Sequence, residues 1–225
     1  MPGTCRATGG VDVTEEDRRA PAAVVFDALG LDYEKAFVSS EGHRASLQWL
    51  SERLEPGSRV LDVGSGTGRP TARTLTESGH RVLGVDVSPV MVELASRQVP
   101  EAEFRLADIR ELVWKDAEFD AVCVYFSLLQ MSRAEQSELV RALARALRPG
   151  GLAVLATVPL DVEGVDGIFM GQPVRLTSYS AEDFTTVATE AGLTVLAAEH
   201  ATFSPAHPDA VPEPHLFLHC RRDAD

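Results

Sequence analysis

Cysteine and lysine are both scarce in this chain, and a long apolar run is missing altogether. Three cysteines occur in 225 residues: Cys5 in a polar leader, Cys123 and Cys220 in apolar stretches. An odd number, with no C-x-x-C pair and no histidine at metal-ligand spacing, builds neither a disulfide framework nor a metal site, and a reducing compartment, the cytoplasm, is expected. No stretch approaches the roughly 20 apolar residues of a membrane-spanning helix. Residues 1–20 mix Gly, Thr and acidic side chains without the apolar centre of a secretory signal, so they read as a disordered leader. Lys35 and Lys115 are the two lysines, and the formal net charge is -13 from 34 acidic and 21 basic residues. A surface that acidic repels a phosphate backbone, which argues against nucleic acid as a partner unless arginines gather on one face. Arg141, Arg145 and Arg148 do fall at helical spacing, but they read as a solvated helix face with Arg148 near the C-terminal end of the dipole. Internal repeats are also absent.

What is present is an alternation of short β-branched runs with helix-period segments, the pattern of an α/β domain with a doubly wound, mostly parallel sheet. With 44% hydrophobic residues the chain fills one core of ordinary size, so a single domain is expected over residues 21–225. A first helix is read over about Ala45 to Leu54, ending before Pro56-Gly57. The first strand, Val60-Leu61-Asp62-Val63, runs into Gly64-Ser65-Gly66-Thr67-Gly68. Pro70 is expected in the first turn of the helix that follows, which ends at Ser78-Gly79. Arg81 to Asp86 is the second strand; Ser88 and Pro89 open a helix carrying Met91, Leu94 and Ala95. Phe104 to Leu106 is the third strand and Phe119 to Phe126 the fourth, its unbroken apolar run implying burial on both faces. Ser132 with Glu135 makes a capping box for a helix reaching Leu147, and Leu152 to Val158 is the fifth strand. Pro159 to Ser178, with Gly164, Gly167, Gly171 and Pro173, reads as an irregular insertion of the kind that carries function. Ser180 and Asp183 cap a last helix ending at Gly192, before strands near Leu193–Ala198 and His215–Cys220.

The glycine turn is the most informative local feature. Glycines at alternate positions let the chain turn sharply and let a ligand approach the main chain without meeting a Cβ. A dinucleotide fingerprint has the order G-x-G-x-x-G, yet the residue three after Gly66 is Arg69 and the third glycine falls early, at Gly68. That offset argues against an NAD-dependent oxidoreductase and for a cofactor without a pyrophosphate. Asp62, Asp86 and Asp108 each close an apolar strand, so three carboxylates line one edge of the sheet, where open α/β sheets bind their ligands.

The run from Val60 to Gly68 resembles the first motif of the class I S-adenosylmethionine-dependent methyltransferases, and motifs in register through Val158 extend the likeness. The resemblance implies a seven-stranded, Rossmann-like sheet closed by a C-terminal antiparallel hairpin, with an N-terminal helical lid over residues 21–56 and a substrate-side insertion at 159–179. It implies S-adenosyl-L-methionine as cofactor and S-adenosyl-L-homocysteine as product. Asp62, Gly64, Ser65, Gly66 and Gly68 then cradle the cofactor, Asp86 takes the ribose hydroxyls, and Asp108 with the backbone at Ile109 takes the adenine amino group. Val87 walls the adenine with Met91, which core packing explains equally well. Tyr125, with Phe126 and Ser127 at the end of strand four, either faces the methionine moiety or belongs to the core. Asp32 to Phe37 resembles the amino-terminal segment of small-molecule members, where Tyr33 and Phe37, one helical turn apart, either cap the site or pack on the core. Strand four lacks the Asn-Pro-Pro-Tyr or Asp-Pro-Pro-Tyr of amine-directed DNA and protein methyltransferases, which again points away from nucleic acid. A general base is needed only for a hydroxyl or ammonium nucleophile, and His43 and Tyr179 are the candidates on bordering segments. The Arg-heavy, Lys-poor composition suits a GC-rich bacterial genome and a secondary-metabolite acceptor. The alternatives are a relative that keeps the cofactor pocket without methyl transfer, such as a cyclase, and a binding module without catalysis.

Overall fold

Side-chain alternation along the first strand sets the geometry of the sheet. In the computed structural model, which describes residues 20–223, Arg59–Val63 forms β1. Leu61 and Val63 enter one apolar cluster and Val60 the other, so β1 is sandwiched between two layers. The same division continues through β2 (Arg81–Asp86), β4 (Phe119–Tyr125) and β5 (Leu147–Thr157). Helices α3 (Glu41–Ser51) and α4 (Thr71–Glu77) cover one face with Leu47, Leu50, Ala72 and Leu75. On the other lie α6 (Arg133–Ala146) and α7 (Ala181–Glu190), burying Leu139, Leu143, Phe184 and Ala188. α5 (Pro89–Gln98) joins β2 to the short β3 (Glu103–Leu106).

The sheet has seven strands in the order β3-β2-β1-β4-β5-β9-β8. β1 to β5 are parallel neighbours, whereas β9 (Glu213–Arg222) runs antiparallel between β5 and β8 (Leu193–Phe203). This is the doubly wound, seven-stranded sheet with a C-terminal antiparallel hairpin expected from the sequence. Strand order reverses between β1 and β4, which opens a crevice at the carboxyl ends of the strands.

Several boundaries differ from the sequence reading, each for a local reason. The helix read from Ala45 begins at Glu41, because the Ser40 hydroxyl accepts the His43 N–H and caps it. Two further helices precede it, α1 (Pro21–Leu29) and α2 (Leu31–Phe37), separated by Gly30 in a left-handed conformation. Pro70 occupies the N-cap of α4 and not its first turn. β4 stops at Tyr125, since Phe126 turns the chain with φ of 58°. The largest correction is the segment read as irregular. It is a regular β-hairpin, β6 (Val162–Phe169) and β7 (Gln172–Ser178), forming a separate two-stranded sheet. Its turn is Met170-Gly171, both at positive φ (49° and 80°), the geometry that two-residue hairpins favour. Methionine is a rare occupant of that position, which hid the hairpin. Pro173 is tolerated because a two-stranded ribbon has free edges. The expected leader, residues 1–20, falls outside the described residues but for Ala20.

Candidate functional site

Three cavities open onto one another at the carboxyl ends of β1, β2 and β4. The first, about 360 Å³, lies between the glycine loop and the start of α3; Asp62, Gly64, Ser65, Gly66, His43, Tyr33 and Tyr125 line it. A second, about 200 Å³, is bounded by Asp86, Val87, Asp108 and Ile109 and shares Gly64, Gly66, Tyr33 and Tyr125 with the first. The third, about 110 Å³, is mostly apolar and lies under α1 and the β6–β7 hairpin, sharing Tyr33, Phe126 and Ser127 with the second. The structure thus brings together ten of the twelve residues read from sequence as a cofactor site.

Backbone conformation explains the glycine loop. Gly64 has φ of 69°, and a Cβ there would sit 2.3 Å from the Ser127 Cβ, whose hydroxyl donates to the Val63 carbonyl at 2.8 Å. Gly66 has φ of 53° with no atom within 4 Å of where a Cβ would stand, so its exposed main chain fronts the cavity. Its N–H donates to Asp86 Oδ2 at 2.8 Å, and Ser88 N–H donates to Asp86 Oδ1 at 2.9 Å. Burial pushes the Asp86 carboxyl up, and these backbone donors pull against that shift. Asp62 is 2% exposed and its Oδ2 has no partner. Burial, with the nearby Asp86 charge, raises it to about 8. An unpaired buried carboxylate is costly, so the position favours a bound cation. The Ser65 hydroxyl is also buried and unpaired.

Two of the residues read as cofactor-binding are placed elsewhere. Gly68 lies beneath the loop, where an added Cβ would stand 3.1 Å from both Phe104 and Val99; its role is close packing. Met91 is fully buried on α5 and lines none of the three cavities, so core packing accounts for it. Asp108 does border the second cavity, but its carboxylate is gripped by Arg110, whose Nη2 lies 2.6 Å from Oδ2 and whose Nε lies 2.9 Å from Oδ1. That guanidinium holds the Asp108 carboxyl below its ordinary value. Arg110 also reaches Glu135 of the α6 capping box, a link that no sequence spacing announced.

The aromatic residues divide in the same way. The Tyr125 ring lines the first two cavities, while its hydroxyl lies 2.9 Å from Ser46 Oγ, which donates to the His43 carbonyl. Ser46 has one proton to give, so Tyr125 donates to Ser46. Tyr33 and Phe37 are stacked with centroids 4.8 Å apart and face the cavities from α2. Burial first, then the Glu213 and Asp86 charges, raises the Tyr33 hydroxyl well above its ordinary value.

Neither candidate base is well suited to removing a proton. Tyr179 lines none of the cavities: its hydroxyl lies 2.8 Å from both Ser137 Oγ and the Arg133 carbonyl, and the Arg133 guanidinium covers its ring at 5.0 Å. His43 lines the first cavity with Nε2 3.1 Å from Thr71 Oγ1. Burial, and secondarily His215, lowers it to about 3. Such an imidazole stays neutral at physiological pH and accepts a proton poorly.

Sequence reasoning missed Phe26, Gln130, Glu213 and His215 near the third cavity. They come from three distant parts of the chain, and only the fold joins them.

The donors around the first two cavities fit a nucleoside that carries an amino-acid tail: an acid for a cation, a second acid with lone pairs left for a diol, and a glycine cradle open to a ligand. Comparison with known proteins agrees. Residues 60–151 match the family model described as a methyltransferase domain. The chain is 34% identical to "Methyltransferase GfsG" of Streptomyces halstedii over 54% of its own length and 45% of that protein's. It is 37% identical to "27-O-demethylrifamycin SV methyltransferase" of Amycolatopsis mediterranei over 45% and 39% of the two chains. With the sugar N,N-dimethyltransferase of Saccharopolyspora spinosa it shares 30% identity over 66% and 59%. The chain thus spans about half the length of the curated relatives it matches. Among solved structures, the [4+2]-cyclase SpnF superposes with a TM-score of 0.70 at 20% identity, covering 91% and 96% of the two chains. The Burkholderia thailandensis 1,6-didemethyltoxoflavin-N1-methyltransferase, solved with its substrate and S-adenosylhomocysteine, gives 0.68 at 22% identity, covering 90% and 87%. Residues 60–151 thus match a methyltransferase domain, and they lie within a seven-stranded sheet whose fold the solved structures share.

Proposed function

We propose that this protein transfers a methyl group from S-adenosylmethionine to a small-molecule acceptor. The observation that carries the reading is that the two cavities beside the glycine loop and Asp86 share Tyr33 and Phe126 with a mostly apolar chamber of about 110 Å³, bordered by α1, α2 and the β6–β7 hairpin. A chamber of that size under a helical cap (residues 21–56) and a hairpin (within 159–179) suits a small organic molecule. With a net charge of -13, the chain offers little to a nucleic acid. No described helix is long and apolar enough to cross a membrane.

Asp62 pairs with the ammonium of the amino-acid tail, and that cation favours the ionised form that burial opposes. Asp86 keeps the loop in place through Gly66 and offers its remaining lone pairs to the ribose hydroxyls. Val87 and Ile109 flank the base, and Asp108, already held by Arg110, presents a fixed edge to it. When bound, S-adenosylmethionine supplies a methyl group on an electrophilic sulfonium. The protein's contribution is then to hold an acceptor in line and exclude water, which supplies about 7–11 kcal/mol of a barrier when alignment is good. Tyr33, Phe37 and Phe126 stand at the junction of cofactor and acceptor spaces and shield it from solvent.

Two steps test the reading. Calorimetric titration should show S-adenosylhomocysteine binding. Incubation with S-adenosylmethionine and small-molecule extracts of Streptomyces, Amycolatopsis and Saccharopolyspora cultures should yield S-adenosylhomocysteine together with a compound heavier by one CH₂. Absence of binding would overturn the reading. Binding without turnover on any extract would favour the second reading, a cofactor pocket retained without methyl transfer, which the fold shared with a [4+2]-cyclase keeps in view.

A further inference from the structure

The third cavity is apolar on most sides, with Phe26, Phe37, Phe126, Phe169 and Leu176 among its walls, yet it contains one carboxylate, that of Glu213 at the start of β9. Among the described residues that carboxylate has a single hydrogen-bond partner, Nε2 of His215 at 2.8 Å. His215 is 1% exposed and walled by Phe126 (4.4 Å between ring centres) and Phe203 (5.5 Å), and its Nδ1 is buried with no partner. The bond fixes the tautomer: Nε2 carries the proton and donates it, because an ionised carboxylate only accepts. No lysine or arginine among the described residues pairs with Glu213. Two residues apart on one strand, the two side chains lie on the same side of β9, so the sheet itself holds the pair in register.

A carboxylate facing a largely apolar chamber, steadied by one buried donor and without another hydrogen-bond partner among the described residues, keeps lone pairs to offer. We infer that Glu213 is the acceptor-binding carboxylate of this site, and that the chamber takes an apolar, largely aromatic molecule presenting one hydrogen-bond donor, a hydroxyl or an ammonium, to Glu213. His215 is a positioning residue that aims the carboxylate. The inference rests on the methyltransferase reading for the cofactor side only; the chamber's chemistry stands on its own walls. Tyr33 lines all three cavities, so the anchor's chamber adjoins the cofactor pocket.

The test uses the full chain saturated with S-adenosylhomocysteine and three probes of similar size, phenol, benzylamine and toluene, titrated by saturation-transfer NMR. Phenol or benzylamine should bind at least roughly tenfold more tightly than toluene, as expected for a hydrogen bond to a charged group. A lead for benzylamine assigns an ammonium-bearing acceptor and a lead for phenol a hydroxyl. Glu213→Leu should bring all three probes to within about twofold of one another. Glu213→Gln, which keeps the shape and an acceptor oxygen, should lose the benzylamine preference and keep part of that for phenol. His215→Leu should behave as Glu213→Leu does, whereas His215→Gln, which retains an N–H, should restore the preference; a purely structural role would not separate these two. Equal binding of the three probes to the wild-type complex overturns the inference, as does a preference that survives Glu213→Leu. Failure of S-adenosylhomocysteine to bind the wild type would instead overturn the methyltransferase reading, so the two failures are distinguishable. Should Glu213→Leu fail to fold, Glu213→Gln and the wild-type probe series decide.

Discussion

The cofactor side of the site rests on sheet backbone, whereas the acceptor side rests on side chains packed against one another. Gly64 and Ser65 both donate to the Val85 carbonyl and Gly66 to Asp86, so the loop is bonded to β2, while Ser127, just past β4, donates to the Val63 carbonyl of β1; β1 and β2 each contribute to the two main apolar clusters. The acceptor side has its own small cluster, Val25, Leu29, Ala36, Met170 and Val174, with Phe26, Tyr33, Phe37 and Phe169 against it. Polar tethers fasten it to α5: Asp27 accepts from Ser88 Oγ at 2.6 Å and Glu34 accepts from Gln98 Nε2 at 2.9 Å. Parts of a protein with small satellite clusters open at lower free energy than the sheet they cover. The difference teaches that one half is fixed by the sheet itself, whereas the other is held by a few apolar and polar contacts of its own.

The sharpest way to break the contrast is to disturb the half fixed by the sheet by one methyl group. In Gly64→Ala the new Cβ meets the Ser127 Cβ at 2.3 Å and must adopt a left-handed conformation. Overpacking and handedness together cost about 2–5 kcal/mol, enough to lower the thermal midpoint by roughly 2–4 °C per kcal/mol in a protein of this size. Gly66→Ala meets no atom within 4 Å and bears only the conformational cost, but its methyl group fronts the cavity. Calorimetry should find the Gly64 variant the less stable of the two, and both should bind S-adenosylhomocysteine poorly. Equal thermal losses would mean that Ser127 yields and the loop is softer than its bonding implies.

Asp62 gives the next largest effect, and its sign is fixed by protonation. Its folded value, about 8, lies above the 3.8 of an ordinary carboxyl. The stability this group contributes is therefore fully present below about 3.8 and is lost as pH rises through about 8. His43 acts oppositely: its folded value of about 3 lies below 6.5, so its contribution is present above 6.5 and is lost as pH falls toward 3. Asp62→Asn should flatten the alkaline limb and make the ligand-free protein more stable at pH 8 by on the order of a few kcal/mol. The acid limb should remain, and S-adenosylhomocysteine should bind more weakly. Urea unfolding across this range is the measurement; an unchanged alkaline limb would show that Asp62 is ionised and paired in the free protein.

Asp86→Ala comes third. Removing it leaves ribose hydroxyls and the Gly66 N–H without an acceptor, and S-adenosylhomocysteine affinity should fall by about 1–3 kcal/mol. Isothermal titration that returns the wild-type affinity would displace the ribose from Asp86.

The same contrast decides what the sequence made legible. β1, the glycine loop, Asp86 after β2 and the Ser132–Glu135 capping box are each encoded within a few consecutive residues, because backbone conformation and caps are local. The parallel core strands followed from apolar runs and their spacing, and the antiparallel closing hairpin from the family resemblance. The β6–β7 hairpin was missed because its turn is Met170-Gly171, and a left-handed methionine carries no composition signal. Gly68 and Met91 sit in the right stretches of chain but face the wrong way, which helical phase on a single turn does not resolve. Glu213 and His215 were out of reach for a different reason: Glu213 joins Phe26, Phe37 and Phe169 around the chamber, and His215 meets Phe126, only after β9 has inserted between β5 and β8.

The smallest effect expected is also the one that isolates the half held by the small cluster. Phe169, at the tip of β6, has its ring centre 6.3 Å from that of Tyr33 and 6.0 Å from that of Phe37, and it belongs to neither main cluster. Phe169→Ala removes two aromatic contacts worth about 1 kcal/mol together. If the cap opens on its own, that energy is lost only to cap opening, and amide exchange should accelerate about fivefold at Gly30 and Val38, whose N–H groups close α1 and α2. Amides of β1 and β4 should exchange as in the wild type, and the thermal midpoint should shift by less than about 2 °C. Exchange that quickens equally in the cap and in β1 would mean that cap and sheet unfold together, and the acceptor side would then be as fixed as the cofactor side.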